Sequence, residues 1–235
     1  MLRCIKCWLA RFKWWIGNIQ RLELIAMEAL IWGASGGIGQ ALVRLLKRDG
    51  WRVFAAARNE RKIPGEADYH YGFDATVPRT MTGIPPLIAP DSEGLDLMIY
   101  AAGTLRNGLL DRLGNDEWEA VFASNLTGAW LAAQASLPLM KTGGHVLFIG
   151  AYVDHLLLPK MGAYAAAKAA LEPLVRVLAK ENRKQKFTLV RPGAVDTPFW
   201  EHTPFRKPDN AKNPMHIAEA ILNYFRSDHD GELNL

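Results

Sequence analysis

Ala29-Leu30-Ile31-Trp32-Gly33-Ala34-Ser35-Gly36-Gly37-Ile38-Gly39 is the stretch that decides the fold. An apolar run enters a glycine-rich turn, and residues 40–48 then follow with helical periodicity. Strand, glycine turn and helix in that order form a βα unit. The glycines let the backbone turn tightly and approach a pyrophosphate. The helix N-terminus supplies free N–H groups and the positive end of its dipole. Gly33, Ser35, Gly37, Ile38 and Gly39 are the candidate contacts.

The pattern repeats outward from this unit. Apolar runs at 52–57, 69–73, 95–100, 145–149, 187–191 and 232–235 read as strands. Segments 117–139, 163–182 and 216–225 read as helices, and the proline-rich 76–90 reads as loop. Alternating strands and helices predict one α/β domain with a parallel sheet covered on both faces. No repeat or low-complexity linker divides it.

Of 235 residues, 49% are apolar and 22% charged, enough for a sizeable core. The net charge of +4 is local. Of the 28 Lys and Arg and 24 Asp and Glu, five and one fall in 1–26, so the remainder is neutral. Nucleic-acid binding, which the basic balance alone would raise, is therefore not expected. Cys4 and Cys7, both at the start, exclude a disulfide scaffold for the body. They also lack the second ligand pair of a structural zinc site, so no metal is expected. The chain divides into a leader, 1–26, and a domain, 27–235. Leu2, Ile5, Leu9, Phe12, Ile16 and Ile19 place one apolar helical face on the leader. Packing on the domain or a second subunit, or a place outside the fold, ranks ahead of contact with a membrane surface. Removing 1–26 is expected to leave cofactor binding intact. With no apolar run long enough to span a bilayer, a cytoplasmic location is expected.

Two further features carry chemistry. The second strand ends Ala55-Ala56-Ala57-Arg58, with no acid to accept from a ribose 2′-hydroxyl. Arg58 can pair with a 2′-phosphate instead, which places NADP(H) ahead of NAD(H). Tyr164 and Lys168 stand four apart, on one face of a helix. A nearby ammonium favours the phenolate and makes the tyrosine a usable acid–base group.

Taken in order, these residues resemble the short-chain dehydrogenase/reductase family from Met27 to Leu235. The resemblance rests on Gly33…Gly37-Ile38-Gly39, Asp74, Ala102-Gly103, Asn125, Tyr164…Lys168 and Pro192-Gly193…Thr197. It implies a single Rossmann-type doubly wound domain with a mainly parallel sheet of about seven strands. It also implies reversible carbonyl–alcohol chemistry with a nicotinamide cofactor, and a homodimer or homotetramer. On this resemblance Tyr164 is the acid/base. Lys168 holds the nicotinamide ribose and tunes Tyr164, and Asn125 holds a water leading from Lys168 to solvent. Asp74 meets the adenine. Pro192, Gly193, Val195 and Thr197 line the nicotinamide. Loops 152–159 and 197–213 form the substrate pocket, where Leu156, Phe199 and Phe205 imply an apolar substrate.

The chain also departs from the family pattern. Trp32 replaces the threonine usual before the first glycine. Tyr100-Ala101 replaces an Asn-Asn pair whose side chains brace the sheet. Ala151 stands where the catalytic serine is usual. Loss of one such donor costs about 10²–10³ in rate. Tyr152, Asp154 and His155 lie in the same loop. The reading is therefore an NADP(H)-dependent oxidoreductase of a carbonyl or alcohol. A non-catalytic NADP(H)-binding sensor or scaffold is the alternative.

Overall fold

The strands β1 (Glu28–Trp32), β2 (Arg52–Ala57) and β4 (Leu95–Tyr100) are apolar nearly throughout, and β6 (Lys186–Arg191) is buried at Phe187–Val190, because both faces of the sheet are covered. The structure, a computed structural model, describes residues 26–235; the helical face expected for the leader and its two cysteines lie outside the described residues. With β3 (Tyr69–Gly72), β5 (Met140–Ile149) and β7 (Gly231–Asn234) the strands form one parallel sheet, ordered β3-β2-β1-β4-β5-β6-β7. This is the expected Rossmann-type arrangement.

The helices are α1 (Gly37–Arg48), α2 (Pro78–Thr82), α3 (Pro85–Ile88), α4 (Asn115–Phe122), α5 (Gly128–Ser136), α6 (Gly162–Ala169), α7 (Leu171–Glu181) and α8 (Pro214–Arg226). Successive strand residues feed opposite cores. Ala29, Ile31, Leu97 and Ile99 pack under α1 and α8, against Leu42, Leu46, Ile217 and Ile221. Leu30, Trp32, Met98 and Tyr100 face Ala129, Ala132, Leu171 and Val175 of α5 and α7.

Segment 76–90 corrects the sequence expectation of a loop. It folds into α2 and α3, each begun by proline in its first turn, where the missing N–H costs nothing. Met81, Ile84 and Ile88 are buried against the Trp32 face of the sheet, and that burial sustains these short turns. Segment 163–182 also differs from one continuous helix, breaking between α6 and α7. Pro173 lacks an N–H, and its ring crowds the carbonyl of Ala169. Segment 117–139 is interrupted by a single π turn, Ala123–Thr127.

A clasp ties the N-terminal ends of the strands. The buried Glu28 carboxylate meets Arg52 at 3.1 Å, the Glu93 N–H at 3.3 Å and the Ser92 hydroxyl. Asp96 accepts from the Glu28 N–H and from Lys141, both at 2.8 Å. The opposite, C-terminal ends carry every residue singled out for chemistry.

Candidate active site

The strand order reverses direction between β1 and β4, which is where sheets of this topology form their ligand crevice. Gly33, at φ +88°, packs so closely on the backbone of Ala101 and Ala102 that any Cβ would strike it. Only glycine meets both demands. Gly39 is equally pressed against Gly33, which holds the first turn of α1 to the end of β1. A Cβ on Gly37 would strike the Thr197 side chain, so the loop after β6 lies directly over the glycine turn. Ser35 stands half-buried in the turn, its carbonyl held by Gln40 Nε2 at 3.1 Å, and Ile38 packs on the α1 core. The N-terminus of α1 has neither a side-chain cap nor an acid in its first turn. Its N–H groups are thus left for an anion.

Arg58 is exposed one residue past β2. Asp74, beyond β3, accepts from the Thr76 N–H at 2.9 Å and from its hydroxyl at 2.7 Å. These bonds, and the charge of Arg58, hold its carboxyl below the usual range. The structure thus brings Arg58 and Asp74 into one neighbourhood at the rim of the crevice.

Tyr164 and Lys168 are both buried on α6. Lys168 Nζ donates to the Ile149 carbonyl at 2.8 Å and lies 5.7 Å from the centre of the Tyr164 ring. Burial pulls the ammonium down to about 8 and pushes the phenol above its ordinary 10. Asn125 sits inside the π turn and is fully buried. Its Nδ2 donates to Thr104 O at 2.7 Å and Val121 O at 2.9 Å, while Oδ1 is buried without a partner among the described residues. A Cβ on Gly103 would lie 2.6 Å from that oxygen and 3.7 Å from Lys168 Nζ, so Gly103 separates the two. Ala102 and Gly103 therefore join the glycine turn to the Tyr164 side of the crevice.

Across the crevice Pro192 is buried and the Gly193 N–H donates to Leu235 O at 3.1 Å. Val195 pairs with Lys212 in an isolated bridge, and its carbonyl accepts from Trp200 Nε1 at 2.8 Å. Trp200 thereby fixes the strip that carries Thr197. Tyr164 is walled by Leu105, Val121 and Met161, with Leu156 and Phe199 packed against them. The Phe199 ring centre is 5.3 Å from that of Tyr164. Ala151, half-buried past β5, offers no hydroxyl here. Tyr152 and His155 are 5.5 Å apart, ring to ring.

Residues 28–207 match the model of the family described as short chain dehydrogenase. The chain belongs to the short-chain dehydrogenase/reductase family. It is 32% identical over 208 residues to an uncharacterized oxidoreductase of Staphylococcus aureus, covering 83% of this chain and 88% of the relative. It is 30% identical over 186 residues to a 3-oxoacyl-[acyl-carrier-protein] reductase of Vibrio cholerae, covering 75% and 76%. Among solved structures it resembles an alcohol dehydrogenase from the archaeon Thermococcus sibiricus, complexed with 5-hydroxy-NADP. That match has a TM-score of 0.81 and 30% identity, covering 89% of this chain and 96% of the other. As a member of this family the chain is an oxidoreductase.

Sequence reasoning missed Thr104 and Met161, took Trp200 only as an apolar wall of the substrate pocket, and gave Tyr100 only as a departure. Tyr100 and Trp32 in fact supply new braces. The Tyr100 hydroxyl donates to Ser124 O at 2.7 Å, and Trp32 Nε1 to Ser136 Oγ at 3.1 Å. The bracing expected to be lost with the asparagines is made by other atoms.

Proposed function

We propose that this chain reduces a ketone or aldehyde with NADPH, and that Tyr164 is its acid. The observation that carries the reading is the buried Tyr164–Lys168 pair beside Gly103 and Asn125. The residues fit a nicotinamide dinucleotide. The glycine turn packs on Ala101, Ala102 and Thr197 too closely for any Cβ, the N–H groups of α1 are uncapped, and the buried Asn125 Oδ1 has no partner among the described residues. Gly33, Ser35, Gly37, Ile38 and Gly39 would hold the pyrophosphate, Arg58 the 2′-phosphate and Asp74 the adenine. Ala102, Gly103, Pro192, Gly193, Val195 and Thr197 would line the rest. When bound, the cofactor supplies a hydride.

The chain's own residues manage the proton. Tyr164, held neutral by burial, keeps a proton on its hydroxyl and gives it to the oxygen of the substrate carbonyl. Lys168, at about 8, is still mostly an ammonium at neutral pH and steadies the phenolate left behind. Asn125 Oδ1 can accept from a water that returns a proton through Lys168. The upward push is the reverse of the shift expected from a neighbouring ammonium, because burial outweighs that ammonium here. The NADP complex of the Thermococcus relative agrees with the cofactor choice.

An apolar substrate fits the wall of Leu105, Met161 and Phe199, and the exposed Leu110, Leu157 and Phe205 on the surrounding loops. A second copy of the chain is the proposed partner. Trp118, Trp130 and Val177 are exposed on the helices outside the Trp32 face of the sheet.

A carbonyl panel with NADPH tests the reading. Tyr164→Phe is expected to lower kcat by about 10²–10⁴. Undiminished turnover in that variant would sink the mechanism. Ala151 favours a second reading, a sensor that binds NADP(H) without turnover. Tight NADPH binding with no activity on any carbonyl would select it.

A further inference from the structure

Tyr100 ends β4, is 1% exposed, and reaches from the sheet into the helical segment that carries Asn125. A π turn leaves carbonyls without their usual i+4 donors. Side chains answer that need here. Ser124 Oγ donates to Ala120 O at 2.5 Å, Asn125 Nδ2 to Val121 O at 2.9 Å, and Tyr100 Oη to Ser124 O at 2.7 Å. The first two come from the turn itself, whereas Tyr100 anchors it to the sheet. Gly128 makes the room, since a Cβ there would strike the Tyr100 hydroxyl. The anchored carbonyl belongs to the residue preceding Asn125, whose buried Oδ1 lies across Gly103 from Lys168.

We propose that Tyr100 is a positioning residue, whose hydroxyl fixes the π turn so that Asn125 Oδ1 is held toward Lys168 for proton return. The inference rests on the enzymatic reading above. It makes the residue that breaks the family's Asn-Asn pattern the one that restores its purpose, through a carbonyl rather than a side chain.

Tyr100→Phe keeps the ring and removes only the hydroxyl. In the full-length protein, amide hydrogen exchange at 123–128 is expected to quicken about tenfold, the worth of one hydrogen bond. In NADPH-dependent carbonyl reduction, kcat is expected to fall about tenfold with KM little changed. The alkaline limb of the pH profile is expected to shift, because a water that Asn125 Oδ1 would present toward Lys168 is no longer held in place. Ser136→Ala is the structural control. It removes the Trp32 bond further along the same helical segment, and is expected to lower thermal stability while leaving exchange at 123–128 and the pH limb as in the wild type. Unchanged exchange in Tyr100→Phe overturns the proposal whatever the activity. Faster exchange with wild-type kcat and pH limb also overturns it, leaving Tyr100 a structural brace. A wild-type protein with no turnover overturns the enzymatic reading and the catalytic half of the proposal, while exchange still reports on the turn.

Discussion

Arg58 is the residue on which cofactor choice turns. It stands exposed past β2, close enough to Asp74 for its charge to be felt there. Arg58→Ala is expected to weaken NADPH binding by about 10–100-fold, the worth of a hydrogen bond to a charged group. NADH should bind as before, and titration of both cofactors reads the difference. Equal loss for the two would place the 2′-phosphate elsewhere. At this scale the sequence was legible where partners are local. Tyr164 and Lys168 lie one helical turn apart, and the glycines of 33–39 are contiguous. Tyr100 and Thr104 were not legible in their roles. Their partners lie 24 and 21 residues away, and two of the atoms concerned are backbone carbonyls. A sequence spells side chains, and does not say which carbonyl lacks a donor.

At the scale of elements, strands were read within a residue or two, except β5; burial on both faces writes the central ones as apolar runs, while the edge strands β3 and β7 are largely exposed. β5 begins at Met140, five residues before the expected 145, since Lys141–Gly144 carries no apolar signal. Helix interruptions were harder. Ser124, Asn125 and Thr127 weaken the helix locally, but that does not say that the break is a π turn. α2 and α3 were masked by prolines that begin helices as readily as they end them. The segment from α4 to α5 also presents Trp118 and Trp130 outward, at 40% and 44% exposure. Such large apolar groups are costly to leave wet. Trp130→Glu is expected to convert an associated protein to a monomer, measured by light scattering across a concentration series. A wild-type protein that is monomeric throughout would remove the second copy as partner.

At the scale of the whole molecule, acid stability has an identifiable contributor. His145 is buried on β5, hydrogen-bonded to Thr188 Oγ1 at 2.7 Å, near Lys186, Asp228 and Asp230 and the rings of Tyr224 and Phe225. Burial pushes its imidazole down to about 4. Between the ordinary 6.5 and 4 the unfolded chain takes up a proton that the folded chain refuses. Stability is therefore full above 6.5 and falls as the pH drops through this window, by about 3 kcal/mol in all. Denaturant titrations from pH 8 to pH 4 should show this slope, and His145→Gln should flatten it. A slope unchanged by that substitution would assign the loss to other groups.

The Glu28 clasp, set at the end of the sheet where nothing reacts, has a mechanical consequence. It knots β1, β2, β4 and β5 together like rods gripped in a vice. The clasp fixes the strand register from the end opposite Thr197 and Gly33, so substitutions in the loop 197–213 are expected to leave that register intact.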